Sequence, residues 1–269
     1  MAEPDHLTII EQTPPAPPPG HALLAGKTVL ITAAAGTGIG YATAVRCAEE
    51  GARVVLSDRH ERRLAEAAER LAALSGAAPL AIPCDVTVDS EVRQTIDTVV
   101  AELGCLDVLV NNAGLGGEAS ILEMSDEQWS SVLDVTLNGT FRCMRAALAH
   151  MTARGSGVIV NNASVIGWRA QAGQAHYAAA KAGVMALTRC AALDVAGSGV
   201  RVNAVAPSIA VHEHLSKSAS PELLERLSAR EAFGRAAEPW EVATVIAFLA
   251  SDYASYMTGE IVSVSSQHP

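Results

Sequence analysis

From Lys27 onward, short and almost continuously apolar runs alternate with longer stretches whose apolar residues recur at helical spacing. A short run without two-residue alternation reads as a strand buried on both faces. Parallel neighbours need a crossover long enough to hold a helix, so the repeat specifies βαβ units. Strands are expected near 28–32, 53–57, 79–82, 107–111, 157–162, 200–205 and 260–264. Helices are expected near 39–50, 60–75, 89–103, 126–152, 175–197 and 238–251. Seven such strands make one α/β domain, a Rossmann-type doubly wound parallel sheet spanning 23–269, with its ligand crevice at the carboxyl ends of the strands. The segment 207–235 follows the sixth strand with no assigned element and suits a lid over that crevice.

Two segments and the overall charge bound the remaining possibilities. Residues 1–22 hold the run Pro14-Pro15-Ala16-Pro17-Pro18-Pro19-Gly20, which favours extended geometry and offers little to bury, so a flexible tail is expected. A net charge of −10 argues against nucleic acid or an anionic membrane as the main partner. No apolar run reaches membrane-spanning length, and acidic Glu3 and Asp5 stand where a secretion signal needs positive charge. The five cysteines are widely spread and form no Cys-x-x-Cys pair, which suggests neither disulfides nor zinc and fits a reducing cytoplasm. His212, Glu213 and His214 crowd one loop without offering a tetrahedral set, so no metal is expected.

The first strand runs into Thr32-Ala33-Ala34-Ala35-Gly36-Thr37-Gly38-Ile39-Gly40, where a helix begins. Glycines there let a backbone approach a pyrophosphate, and the unpaired N–H groups and dipole of the helix start hold its charge. Alone, such a turn is equally an ordinary strand-to-helix connection. The second strand ends in Asp58-Arg59, where a carboxylate can accept hydrogen bonds from an adenine ribose. That acid would repel the extra phosphate of NADP, favouring NAD, whereas Arg59 could stack on adenine or receive that phosphate. Asp58 could also be the N-cap of the next helix.

Ser164 ends the fifth strand, and His176-Tyr177-Ala178-Ala179-Ala180-Lys181 opens a helix. Tyr177 and Lys181 are four apart, which puts both side chains on one helical face. By itself the pair could be a surface feature of an Ala-rich helix; beside a dinucleotide turn it reads as acid–base chemistry.

Together these residues resemble the short-chain dehydrogenase/reductase family from about Leu24 to Ser263. Thr32 to Gly40 is similar to the family's glycine turn, with one extra residue and with Ala33 at the usual first glycine. Cys84-Asp85-Val86 resembles its adenine-contacting Asp-Val, and Asn111-Asn112-Ala113-Gly114 its Asn-Asn-Ala-Gly motif. The resemblance implies the strand order 3-2-1-4-5-6-7 and a catalytic trio of Ser164, Tyr177 and Lys181, with Tyr177 and Lys181 also contacting the cofactor. It further implies cofactor contacts from Thr32, Ala33, Gly36, Thr37, Gly38, Ile39, Gly40, Asp58, Arg59, Asp85, Val86, Asn112, Ala113 and Gly114. Val202 to Pro207 resembles the Asn-Ala-x-x-Pro-Gly motif with Ser208 for the glycine, so Pro207, Ser208 and Ile209 join the cofactor set. A family asparagine of the middle helix falls at Thr136, with Asn138 as the alternative; neither enters the expected core.

The implied reaction interconverts a secondary alcohol and a ketone, the cofactor carrying the hydride and the protein handling the proton. A phenol near pKa 10 is a poor base at neutral pH, so Lys181 and the nicotinamide are expected to lower it. Lid residues Leu215, Leu223, Leu224, Leu227 and Phe233 and the Trp168-Arg169 loop would line a pocket for a small-molecule substrate; packing on the domain explains the same spacing. Lys217, Arg226, Arg230 and Arg235 suggest an anionic handle such as a CoA thioester, with plain solvated charge as the alternative. The chain resembles actinobacterial members acting on ring-hydroxy or hydroxyacyl-CoA intermediates, including steroid-ring catabolism. The same resemblance implies a homotetramer formed through the helices near 126–152 and 175–197. Rival functions on this fold are a redox-inert lyase or dehalogenase and a nucleotide-sensing binding protein.

Overall fold

The computed structural model describes residues 13–211 and 221–266. Seven parallel strands form one sheet: β1 Thr28–Thr32, β2 Arg53–Asp58, β3 Leu80–Pro83, β4 Val108–Asn111, β5 Gly157–Asn162, β6 Val200–Pro207 and β7 Ile261–Val264. Their spatial order is β3-β2-β1-β4-β5-β6-β7, as the family resemblance implies. Between β1 and β4 the order reverses, the point at which a doubly wound sheet opens a crevice. The helices are α1 Ile39–Glu49, α2 Glu61–Ser75, α3 Asp89–Leu103, α4 Asp126–Leu133, α5 Gly139–Arg154, α6 Ala175–Val195, α7 Pro221–Ser228 and α8 Pro239–Ala250.

Strand side chains alternate between two cores, one on each face. Val29, Ile31, Val54, Leu56, Val108, Val110, Val158 and Val160 pack with residues of α1, α2 and α8. Leu30, Val55, Leu109, Ile159 and Val202 pack with residues of α3, α5 and α6. A fully buried aliphatic side chain contributes about 1.5–3 kcal/mol over its exposed state, so the doubly covered central strands anchor the fold.

The expected helix at 126–152 is two helices. A π-helical turn at Asp134–Asn138 separates α4 from α5. Its extra residue rotates the apolar stripe between the two helices, a break that 3.6-residue periodicity cannot reveal. Gly139 lies so close to Val86 that a Cβ there would sit 2.7 Å from Val86 Cγ2, so bulkier residues are shut out of this junction. Within the lid segment, for which the sequence predicts no element, α7 is a helix, and Ala210 bridges to Ala237. Residues 212–220 lie outside the described residues, and with them His212, Glu213, His214, Leu215 and Lys217; the side chains of Leu223 and Arg226 are likewise outside them.

Of the proline-rich segment, residues 13–20 are neither helix nor strand. The buried Arg46 guanidinium donates to the carbonyl oxygens of Pro18 and Pro19, while Glu50 accepts from the amides of His21 and Leu23 at 2.8 and 3.0 Å. Arg46 and Glu50 also pair with each other one helical turn apart, so α1 holds the chain just before β1. Among the described residues no helix is long and apolar enough to cross a membrane. Nor do the described residues contain a group of three or more His, Cys, Asp or Glu placed to hold a metal.

Candidate active site

The parallel strands deliver their carboxyl ends to one edge of the sheet, and the residues singled out above gather there. Ser164 lies two residues beyond β5 and is buried, as is Lys181 on α6. The Ser164 hydroxyl lies beside the Tyr177 phenol and acts to lower its pKa. It also lies 3.5 Å from the Pro207 carbonyl and accepts from the Ile166 amide at 3.3 Å. The Lys181 ammonium stands 5.5 Å from the centre of the Tyr177 ring and donates to the main-chain carbonyl of Asn162. Three groups suited to proton transfer therefore converge from β5 and from the first turns of α6.

Burial sets their charge states. Desolvation pushes the Tyr177 phenol up to about 12, partly offset by the Ser164 hydroxyl. Desolvation also brings the Lys181 ammonium down to about 8. In the protein alone, desolvation outweighs the lowering expected from Lys181 and a bound nicotinamide. The phenol is thus held protonated, ready to donate to a carbonyl oxygen.

The glycine turn fits a dinucleotide. Gly38 caps α1 without any side-chain acceptor, and no acid lies in the first turn, which leaves that helix start open to an anion. A Cβ on Gly40 would come within 2.5 Å of both the Ala33 carbonyl oxygen and Asn112 Nδ2, so the turn closes tightly against β4. At Gly36 the nearest atom to such a Cβ is 3.8 Å away, so that side of the turn is open. Ala33 takes the left-handed conformation, φ 51°, that the family's glycine would adopt freely. The Asn112 side chain supports it by donating to the carbonyls of Thr32 and Ala33 at 3.2 and 3.1 Å. Asp58 Oδ2 accepts from the Ala35 amide at 3.2 Å, and Oδ1 from the His60 amide at 3.0 Å. Burial raises its pKa, against the pull of the Ala35 amide and of Arg63 and Arg59. Asp58 is not the N-cap of α2, a position that His60 holds.

The family model described as Enoyl-(Acyl carrier protein) reductase matches residues 33–266. A Mycobacterium tuberculosis protein named (5R,7aS)-5-hydroxy-7a-methyl-1-oxo-2,3,5,6,7,7a-hexahydro-1H-indene-carboxyl-CoA reductase is 63% identical over 93% of this chain and 96% of its own length. The crystal structure of a short chain dehydrogenase from Mycobacterium smegmatis superposes with a TM-score of 0.84 at 57% identity, covering 95% of this chain and 98% of that one. The chain is a short-chain dehydrogenase/reductase. A cis-4-hydroxycyclohexanecarboxylate dehydrogenase from Sinomonas cyclohexanicum is also similar, 43% identical over 88% of this chain and 95% of its own. Membership makes this chain an oxidoreductase acting on secondary alcohols and ketones and served by a nicotinamide cofactor.

The other expected cofactor residues of this dehydrogenase fall along the same edge. Thr32 Oγ1 accepts from the amides of Asn112 and Ala113 at 2.9 and 3.0 Å, which joins the ends of β1 and β4. Gly114 faces Lys181, whose Nζ would be 3.6 Å from an added Cβ. Asp85 follows β3 and accepts from the Thr87 amide at 2.9 Å, while Val86 packs at the start of α5. Arg59 is exposed beside Asp58, and Ser208 extends β6 by donating to Val264 at 3.2 Å. Ile209 accepts from the Ala237 amide at 2.9 Å.

Thr136, not Asn138, stands at the site. Its side chain is fully buried; Oγ1 accepts from the Leu115 amide at 3.0 Å and lies 3.2 Å from the Leu115 carbonyl. Asn138 is exposed and donates to Asp134 at 3.1 Å. Sequence reading missed Asn161 and Asn162. Asn111 donates to Asn161 at 2.9 Å on one face of the sheet, and Asn162 to Asn112 at 3.0 Å on the other. Two Asn-Asn pairs ending consecutive central strands were the available signal. Asn162 thereby links the Lys181 ammonium to Asn112, and so to the glycine turn.

Proposed function

We propose that this enzyme interconverts a secondary alcohol and a ketone on an alicyclic, ring-fused substrate carried as a CoA thioester, with NAD(H) as cofactor. The observation that carries the chemistry is the convergence of the Ser164 hydroxyl, Tyr177 phenol and Lys181 ammonium at the open edge of the sheet. The similarity to the hydroxy-oxo-hexahydroindene-carboxyl-CoA reductase supports the substrate class.

A bound nicotinamide would supply or accept the hydride. Gly36, Thr37, Gly38, Ile39 and Gly40 would hold the pyrophosphate, Asp58 the adenine ribose and Lys181 the nicotinamide ribose. Tyr177 gives its proton to the carbonyl oxygen in reduction and recovers it in oxidation. Ser164 orients that oxygen by hydrogen bonding, and Lys181 stabilises the phenolate left when Tyr177 has donated. The Asp58 carboxylate favours NAD over NADP by repelling a 2′-phosphate, with Arg59 as a lesser opposing influence. The segment 207–235 serves as the substrate lid of a catalytic domain on which Pro18, Pro19 and His21 are held by α1. The enzyme works in the cytoplasm as a homotetramer.

The test is nicotinamide absorbance with purified enzyme and ring-ketone or ring-alcohol hydroindane CoA thioesters, each paired with its free acid. Turnover is expected with the thioester and at least tenfold less with the free acid, as loss of a charged, hydrogen-bonded handle implies. Oxidation of cis-4-hydroxycyclohexanecarboxylate with no activity on any thioester would sink the substrate assignment. Absence of hydride transfer with every member of the panel would sink the reaction itself.

A further inference from the structure

We infer that His176 is a positioning residue for the acid–base tyrosine, acting through the main chain of α6. The first amides of a helix have no partner within it, and a side-chain acceptor at the N-cap ordinarily takes one. Gln174 is the N-cap of α6 and makes no such bond. Its side chain is used elsewhere, donating to the Gly117 carbonyl at 2.8 Å. The acceptor comes from His176, whose Nδ1 takes the Tyr177 amide at 2.9 Å. Tyr177 is the third residue of α6, so this bond fixes the backbone of the residue that bears the phenol.

The imidazole is itself held. His176 is 2% exposed, and accepting at Nδ1 requires the neutral ring with its proton on Nε2. That Nε2 edge lies against Gly117, where an added Cβ would be 3.4 Å away. The loop carrying Gly117 is anchored on both sides: Leu115 donates to Thr136, and Ala119 donates to the Gly173 carbonyl at 3.0 Å. Gly116 lies along the Tyr177 ring, with Cδ2 3.9 Å from a Cβ built there. His176 is thus clamped between the loop after β4 and the helix start, and it transmits that loop's position to the phenol. Orientation of a proton donor to within an ångström is worth large factors in rate.

This inference rests on Tyr177 being the acid–base group, so Tyr177→Phe is measured alongside. In the full chain, His176→Leu is expected to lower kcat for the ring-ketone thioester by roughly ten- to a hundredfold, with KM and NADH affinity within about twofold. His176→Asn, whose amide oxygen can accept the same N–H, is expected to recover most of the loss. If the leucine variant folds poorly by thermal unfolding, His176→Phe serves instead: it keeps a planar ring but offers the Tyr177 amide no acceptor and should give the same kcat-selective loss. The inference is overturned by an unchanged kcat in His176→Leu, by an asparagine variant as slow as the leucine one, or by NADH affinity falling in parallel with kcat. An active Tyr177→Phe would overturn the proposed function instead, whereas an inactive Tyr177→Phe beside a fully active His176→Leu would overturn only the role of His176.

Discussion

The ammonium of Lys181 donates to the main-chain carbonyl of Asn162, which moors the charged end of an α6 side chain to the tip of β5. The bond leaves the amine beside the Tyr177 ring, 5.5 Å from its centre, in a largely desolvated place. A buried amine and a half-buried phenol with opposite titration behaviour therefore share one site.

Their shifts give stability a signed pH dependence. Lys181 falls from 10.5 in the free side chain to about 8 in the fold. Between those values the unfolded chain binds the extra proton, so stability rises with pH across that window. Tyr177 rises from 10.0 to about 12, so between those values the folded chain holds the extra proton and stability falls with pH. Urea melts of the native enzyme and Lys181→Met at pH values on either side of 8 should show the native protein gaining relative to the variant as pH rises. Parallel profiles would remove the assigned burial of Lys181.

Tyr177→Phe removes the proton donor and leaves the glycine turn intact. Turnover should drop by at least about a thousandfold, the upper range for a positioned acid or base, while NADH affinity stays within a few-fold. Fluorescence titration with NADH and stopped-flow turnover check both halves.

Ala33 adopts a left-handed backbone, φ 51°, that costs an alanine about 1–2 kcal/mol. Ala33→Gly removes that strain at an entropy cost of about 0.5–1 kcal/mol. The substitution should therefore stabilise the enzyme slightly, by up to about 1 kcal/mol, where an alanine-to-glycine change ordinarily destabilises. Thermal melts decide the sign.

Asp58→Ala should weaken NAD binding by roughly ten- to a hundredfold, the loss of charged hydrogen bonds worth about 1.5–3 kcal/mol, and weaken NADP less. Equal losses for both would mean that Asp58 acts only through the Ala35 and His60 amides.

Gly40→Ala would drive a methyl to 2.5 Å from the Ala33 carbonyl and from Asn112 Nδ2. The turn must move off β4, so NADH affinity should fall by more than about tenfold, as loss of even one or two well-placed hydrogen bonds implies. Far-ultraviolet circular dichroism should remain close to that of the native enzyme, since Leu30, Val55, Leu109 and Ile159 form a core on the sheet face opposite the turn.

Periodicity by itself determined the seven parallel strands and the edge at which ligands meet them, because burial on both faces and crossover length are properties of local sequence. Spacing likewise puts Tyr177 and Lys181 on one helical face. The tertiary structure decided what no window of sequence contains. Asn162 reaches Asn112 across fifty positions of chain, Thr136 holds Leu115 from within a π turn that shifts the helical register, and His176 accepts the Tyr177 amide while the Gln174 side chain donates to Gly117. The phenol's resting proton also depends on tertiary structure: the lowering expected of Lys181 and a bound nicotinamide acts against a desolvation that depends on every neighbouring element at once and that raises the pKa in the protein alone.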